Sequence, residues 1–294
     1  MPPEVLKEYG ETEVLIASTY EQEILEQLHA MGKTNVHTIY GFPSEGYYPH
    51  REMLMEYVKR SAQNLQKNSV SEKEIKRVYK IWNNHFTRFR IERETPAEYL
   101  DNTSNPIKIL DYGFGCGTLV LNLLLRGYDA YGIDLDEGKK AFYNQKITDL
   151  NFPDEWKDRC NLYDGERIPY DDEEFDVVFS TQVLEHVQDI GSSIREMLRV
   201  CKTGGILRLE LPNYDGTYEG HYRIDFGKPL YGHKDEFKVK VKELGYNEKE
   251  VDNINFINLK EITAILNDVG GDSIEVIDLN LEKSLDISLL VKKI

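Results

Sequence analysis

The chain has 294 residues, 40% of them hydrophobic and 30% charged, with 21 Gly and 10 Pro. That describes one large globular domain, or one medium domain with an appendage, and excludes collagen, coiled coil and wholesale disorder. With 36 Lys and Arg against 52 Asp and Glu, the formal charge is -16, which repels phosphate backbones and anionic lipid, so neither nucleic acid nor a membrane is expected as a partner.

Cys116, Cys160 and Cys201 are odd in number and widely spaced, which gives neither a disulfide framework nor a metal knuckle. The longest apolar run, residues 119–125, is interrupted by Asn122 and falls short of the roughly 20 residues of a membrane span. The opening MPPEVLKEYGE has no basic n-region and no apolar h-region, so a cytoplasmic location is expected.

Taken in order, residues 13–18 (EVLIAS) predict a short strand. Residues 20–31 predict a helix with Ile24, Leu25 and Leu28 on one face and Gly32 as its C-cap, and residues 36–40 a second strand. Residues 41–50 (GFPSEGYYPH) read as a linker. Helices are expected at 52–68 and 72–93. The second opens on the capping box Ser71–Glu74 and carries Ile75, Val78, Tyr79, Trp82, Phe86 and Phe89 at three- and four-residue steps. The chain therefore divides into an N-terminal segment (1–50), a helical cover (51–105) and a domain over 106–294.

In that domain the rhythm becomes strand, helix, strand, helix. Strands are predicted at 107–112, 130–134, 160–163, 175–181 and 206–211, and helices at 117–126, 137–148 and 190–201. Alternation of this kind implies an α/β, Rossmann-like, mostly parallel sheet with helices on both faces. An irregular insertion follows at about 213–256, within which Lys238, Lys240 and Lys242 are assigned to a solvated helix face. A helix at 259–269 and an antiparallel strand pair at 273–279 and 284–291 complete an expected seven strands.

The first strand of the domain runs into Asp111, Gly113, Gly115 and Gly117, a D-x-G-x-G-x-G pattern between strand and helix. Glycine there lets the backbone turn tightly and lets a ligand lie against the main chain. Open amides at the helix start favour a carboxylate or phosphate. The next strand ends in Asp134, an acid placed for ribose hydroxyls. The spacing differs from the G-x-G-x-x-G of nicotinamide and flavin binders.

The chain continues NLYDGERIPYDDEEFDVVFSTQVLEHV over residues 161–187. Together with the preceding motifs, this resembles the class I S-adenosylmethionine-dependent methyltransferases of the small-molecule type with an LEHV signature. The resemblance implies S-adenosyl-L-methionine as cofactor. It assigns Asp111 and Gly113, Gly115 and Gly117 to the methionine part, Asp134 to the ribose and Leu135 to adenine. Asp164 and Gly165 would flank the adenine amino group, with Thr181 and Gln182 beside the sulfonium. Lys202–Gly205 matches the family's K-P-G-G turn, with Thr203 in place of Pro. Some relatives bind magnesium through E-x-x-E-H; here the first acid is Gln182, so no metal is expected.

Methyl transfer from a sulfonium is an in-line displacement, so the protein must align the nucleophile and remove its proton. His186 and His221 are the candidate bases. The polar, aromatic loop from Asn213 to Arg223 follows the fifth strand, on the edge where open parallel sheets bind ligands. It offers Tyr214, Glu219, Tyr222 and Arg223 as acceptor contacts. Residues 13–40 resemble the end of a small nucleotide-sugar-type Rossmann domain that precedes catalytic domains in surface-polysaccharide biosynthesis. That resemblance tilts the small-molecule acceptor toward a sugar or nucleotide-activated sugar, methylated on oxygen rather than nitrogen. Another transferase on this fold, such as an aminopropyl transferase, and a non-catalytic cofactor-binding scaffold are the alternatives. Oligomeric state has no signal in the sequence.

Overall fold

A computed structural model describes residues 14–16, 36–38, 106–149, 152–282 and 286–294. Strands β1 (Val14–Ile16) and β2 (Val36–Thr38) pair in parallel. The expected helices at 20–31, 52–68 and 72–93 lie outside the described residues.

From residue 106 the expected alternation is present. The elements are β3 (Lys108–Tyr112), α1 (Thr118–Leu125), β4 (Asp129–Asp134), α2 (Glu137–Asp149), β5 (Cys160–Leu162), β6 (Phe175–Thr181), α3 (Ile190–Val200) and β7 (Cys201–Pro212). The seven-stranded sheet is completed by β10 (Ile274–Glu282) and β11 (Asp286–Lys293), in the order β10-β11-β7-β6-β3-β4-β5. The five strands from β7 to β5 are parallel, and β11 runs antiparallel to both β7 and β10.

The central strands are apolar throughout because both faces are covered. On one face Ile109, Val177 and Phe179 pack with Leu119, Val120, Leu123, Tyr143 and Ile147 of α1 and α2. On the other, Leu110, Val178 and Leu207 pack with Ile194 and Met197 of α3 and with Ile262 and Leu266 of α5 (Leu259–Gly270). Helix α3 starts on Asp189, whose carboxylate accepts the Ser192 amide, and α5 on Asn258, whose side chain accepts the Glu261 amide.

Two expectations are corrected here. The Lys202–Gly205 turn is a bulge inside β7. The register with β6 steps from Phe175↔Cys201 to Val177↔Ile206. A β-carbon on Gly205 would stand 2.8 Å from the Asp176 carbonyl oxygen, so the bulged chain lies too close to β6 for a side chain. The insertion is also less irregular than expected. It contains the small hairpin β8 (Tyr218–Glu219) and β9 (Ile224–Asp225), helix α4 (Lys234–Glu243) and a 3-10 turn (Glu248–Asn253). Phe237, Val241, Val251, Ile254 and Ile257 join the core of the α3 face. Of the three lysines expected on a solvated face, Lys240 and Lys242 are exposed, while Lys238 is half-buried and paired with Asp252. Among the described residues no helix is long and apolar enough to cross a membrane.

The chain leaves β3 toward β4 and β5 on one side, and returns to β6 and β7 on the other. Strand order therefore reverses between β3 and β6, where open α/β sheets bind ligands at their carboxyl ends. The loops after β3, β4, β5 and β6 carry the predicted cofactor residues.

Candidate active site

Asp111 is buried in β3, and Gly113, Gly115 and Gly117 of the following loop all have left-handed backbone, with φ of 85°, 54° and 69°. The reason differs by position. At Gly117 a β-carbon would lie 2.2 Å from the Tyr143 ring, because α2 packs directly beneath the loop. At Gly115 it would meet nothing within 4 Å, which leaves an open stretch of main chain. Helix α1 starts with no side-chain cap and no acid in its first turn, so its partly positive end is left for an outside anion.

Asp134 ties this loop to β4. Its Oδ2 accepts the Gly115 amide at 3.0 Å and the Lys139 ammonium at 3.0 Å. Its Oδ1 accepts the amides of Leu135 at 2.8 Å and Asp136 at 3.1 Å, and Lys139 again at 3.2 Å. A ribose diol reaching this carboxylate must take lone pairs that Lys139 now holds. Leu135, beside it, is 60% exposed. Gly165 lies against it, so that a β-carbon there would be 3.4 Å from Leu135 Cδ2. The two predicted adenine neighbours are thus neighbours of each other. Asp164 is exposed, and its Oδ1 accepts the amides of Glu166 and Arg167, which hold its carboxyl below the usual range.

Thr181 closes β6. Gln182 follows with φ 55°, a left-handed conformation uncommon for a side chain larger than Asn. Its amide bonds the Glu210 carbonyl at 2.8 Å and its Nε2 donates to Asp286 at 3.2 Å. Local strain of this kind concentrates at functional sites.

The two candidate bases meet. His186 lies in a short turn after β6 (Leu184–His186), and His221 between β8 and β9. Their Nε2 atoms are 3.0 Å apart. His221 Nδ1 is 2.5 Å from Glu219 Oε1, and Glu219 Oε2 accepts the Tyr222 amide at 2.7 Å. Burial works against the imidazolium of His221, but the Glu219 carboxylate outweighs it, so its pKa lies above the ordinary value. Burial, followed by the charge on His221, pulls His186 down to about 4. At neutral pH His186 is therefore the uncharged partner, and one proton between the two Nε2 atoms joins the rings. Lys139 also contributes to lowering His186, so the ribose acid's partner and the imidazole pair share one electrostatic neighbourhood.

Glu185, adjacent to His186, had no role in the sequence beyond its place in the signature. It is fully buried, neither carboxyl oxygen has a hydrogen-bond partner among the described residues, and burial pushes its pKa up to about 7. Ligand atoms of Glu185, His186 and His221 lie within 4.8 Å of one another, a grouping able to hold a cation. A carboxyl left without a donor has no sequence signature, because it depends on what the surrounding chain fails to bring.

The predicted acceptor contacts divide. Tyr222 is buried against Phe237 and Tyr246, with its hydroxyl donating to the Asn247 carbonyl at 2.7 Å. The structure thus places it in the core of the insertion. Glu219 is fully buried behind His221, as its orienting partner. Tyr214 is stacked on Phe256 at 4.4 Å, but its buried hydroxyl has no partner among the described residues. Arg223 is half-buried with φ 58°.

An open glycine loop, an acid on the neighbouring strand and an imidazole pair thus gather beside the strand-order switch. Residues 110–209 match the model of a methyltransferase domain family. The chain is 26% identical over 133 residues to a sterol 4-C-methyltransferase of Caenorhabditis elegans, covering 43% of this chain and 38% of that protein. It is 36% identical over 98 residues to a ubiquinone biosynthesis O-methyltransferase of Pseudomonas putida, covering 33% of this chain and 41% of that protein. The chain thus spans about two fifths of the length of these curated relatives. A solved structure of a SAM-dependent methyltransferase from Aquifex aeolicus is similar at a TM-score of 0.46 and 15% identity, over 70% of this chain and 100% of that one.

Proposed function

We propose that this protein methylates a small-molecule acceptor from S-adenosyl-L-methionine, on a hydroxyl oxygen ahead of a nitrogen. The observation that carries this reading is the placement of two units on one sheet edge: Gly115 with Asp134, and Glu219 with His221 and His186. The first is a cradle suited to an adenosyl group and the second a means of moving a proton. When bound, the cofactor supplies a sulfonium-activated methyl group. Asp111 and the loop from Gly113 to Gly117 hold its amino-acid end. Asp134 takes the ribose once Lys139 yields, Leu135, Asp164 and Gly165 border the adenine, and Thr181 and Gln182 line the transfer side.

The remaining residues act on the acceptor. His221, held at Nδ1 by Glu219, takes the hydroxyl proton at Nε2, the atom that His186 Nε2 faces at 3.0 Å, so the acceptor displaces His186 from that bond. Glu185 and Tyr214 present polar atoms, unpartnered among the described residues, that an acceptor can satisfy, and Arg223 is offered by the hairpin that carries His221. No metal is part of this reading. The relatives are named for sterol and ubiquinone biosynthesis, which supports a small acceptor. The resemblance of residues 13–40 favours a sugar or nucleotide-activated sugar within that class. Residues 1–50 and 51–105 are then an accessory segment and a cover for the domain at 106–294, in a cytoplasmic enzyme.

Calorimetry with S-adenosylmethionine, followed by an acceptor screen read as S-adenosylhomocysteine release, tests this. Binding and release support it. Binding with no acceptor turned over under any condition points to a scaffold protein, and methylthioadenosine as the product points to aminopropyl transfer.

A further inference from the structure

Helix α2 brings a lysine to the underside of the glycine loop. Lys146 is 4% exposed, and its Nζ donates to the Cys116 carbonyl at 2.8 Å and to Thr118 Oγ1 at 3.4 Å. The Phe142 ring lies 5.8 Å from the ammonium. Three positions earlier on the helix, Tyr143 fills the space a side chain at Gly117 would need. Both residues therefore bear on positions 116–118, between the open main chain at Gly115 and the start of α1. A fully buried lysine is rare unless its charge is engaged, and this one is engaged by the loop.

We propose that Lys146 is a positioning residue for the cofactor site: it fixes the Cys116 carbonyl inward, so that the loop is held in its binding form, and its protonation state makes cofactor affinity depend on pH. The proposal rests on the assignment of the glycine loop to the cofactor. An ammonium hydrogen-bonds a carbonyl about twice as strongly as a neutral amine, and a loop already held in its bound form binds at less cost. Burial, partly opposed by Cys116 and Cys160, lowers Lys146 to about 7. Among the described residues, the titratable groups facing it are Cys116 of the loop and Cys160 of β5. Burial pushes Cys116 up to about 12 and Cys160 well above its ordinary value, so neither thiol titrates in the same window. Asp134, Asp136 and Lys139 bear on Cys116 from the β4–α2 side.

The test is the affinity of the full chain for S-adenosylhomocysteine, measured by calorimetry from pH 6 to 8.5 in the wild type, Lys146→Met and Lys146→Arg, with thermal melts as the folding check. The wild type is expected to bind more weakly as pH rises through about 7. Lys146→Met should bind at least roughly tenfold more weakly at pH 6 (about 1.4 kcal/mol) with a flat profile. Lys146→Arg, permanently charged, should bind tightly with a flat profile. If Lys146→Met does not fold, the wild-type and Arg profiles decide. A wild-type profile retained in either folded variant, or affinity that strengthens with pH, overturns the proposal. A wild type that binds no cofactor at any pH removes the assignment of the loop itself.

Discussion

The Nε2 atoms of His186 and His221 lie 3.0 Å apart although the residues are 35 positions distant in the chain. One imidazole arrives with the turn after β6 and the other with the hairpin of the insertion, so the pair exists only because the insertion folds back over the sheet's carboxyl edge. Lone histidines are pH-sensitive groups of uncertain use; a pair with opposed shifts and a carboxylate behind one of them has direction.

That direction has a kinetic consequence. His221 is competent as a base only when neutral, and its pKa is raised, so turnover should rise with pH through a midpoint above 6.5. Glu219→Gln removes the group that raises it and leaves burial, which lowers it. The rising limb should therefore move to lower pH, with a lower plateau. His221→Ala should reduce kcat by about 10²–10⁴-fold with little change in cofactor affinity. A pH–rate profile unshifted in Glu219→Gln would remove His221 as the base.

On the proposed ribose assignment, Asp134 binds through geometry that alanine cannot supply. Asp134→Ala is expected to weaken S-adenosylmethionine binding at least roughly tenfold, about 1.4 kcal/mol. It also releases the Gly115 amide, so the loop should lose order, visible as faster amide exchange at residues 113–117. Calorimetry showing wild-type affinity would contradict the ribose assignment.

Lys139 is predicted to act in the opposite sense. A carboxylate offers about four lone-pair sites, and Asp134 already receives the amides of Gly115, Leu135 and Asp136 as well as Lys139. Only the side chain can leave. Lys139→Met should tighten cofactor binding by roughly three- to tenfold, about 0.7–1.4 kcal/mol. Weaker binding in this variant would mean that the ammonium assists the ligand instead of competing with it.

Glu185 should reveal itself in stability. Its pKa is raised from 4.5 to about 7, so the native state binds the extra proton between those values. Its cost is absent below pH 4.5, grows through that interval and is complete above about 7. Glu185→Gln should then stabilise the protein increasingly from pH 5 to 8, by up to ~3 kcal/mol, while lowering turnover. Denaturant melts at several pH values would show this; a difference independent of pH would place the carboxyl in a hydrogen-bonded or solvated setting.

Much of the domain was legible from the chain alone, because its signals are local. The strand–helix alternation from residue 107, the apolar runs of the central strands and the glycine and acid positions each act over a few neighbouring residues, and β6 has the predicted ends, 175 and 181. Helix α4 was harder to delimit because its Lys–Val alternation has the period of a strand. Only Phe237 and Val241, one helical turn apart, are buried, while Val239 faces out.

The site was less legible, since its chemistry arises from distant residues. The sequence determined that a glycine loop, an acid and two histidines belong to a methyltransferase-like frame. Only the tertiary structure decided that the histidines touch, that Tyr222 packs inward, that Lys139 covers Asp134 and Lys146 underpins the loop, and that Glu185 lies buried with no donor among the described residues. Those relations depend on which groups the folded chain brings, or fails to bring, within hydrogen-bonding distance, and burial then sets what each bond and each charge is worth.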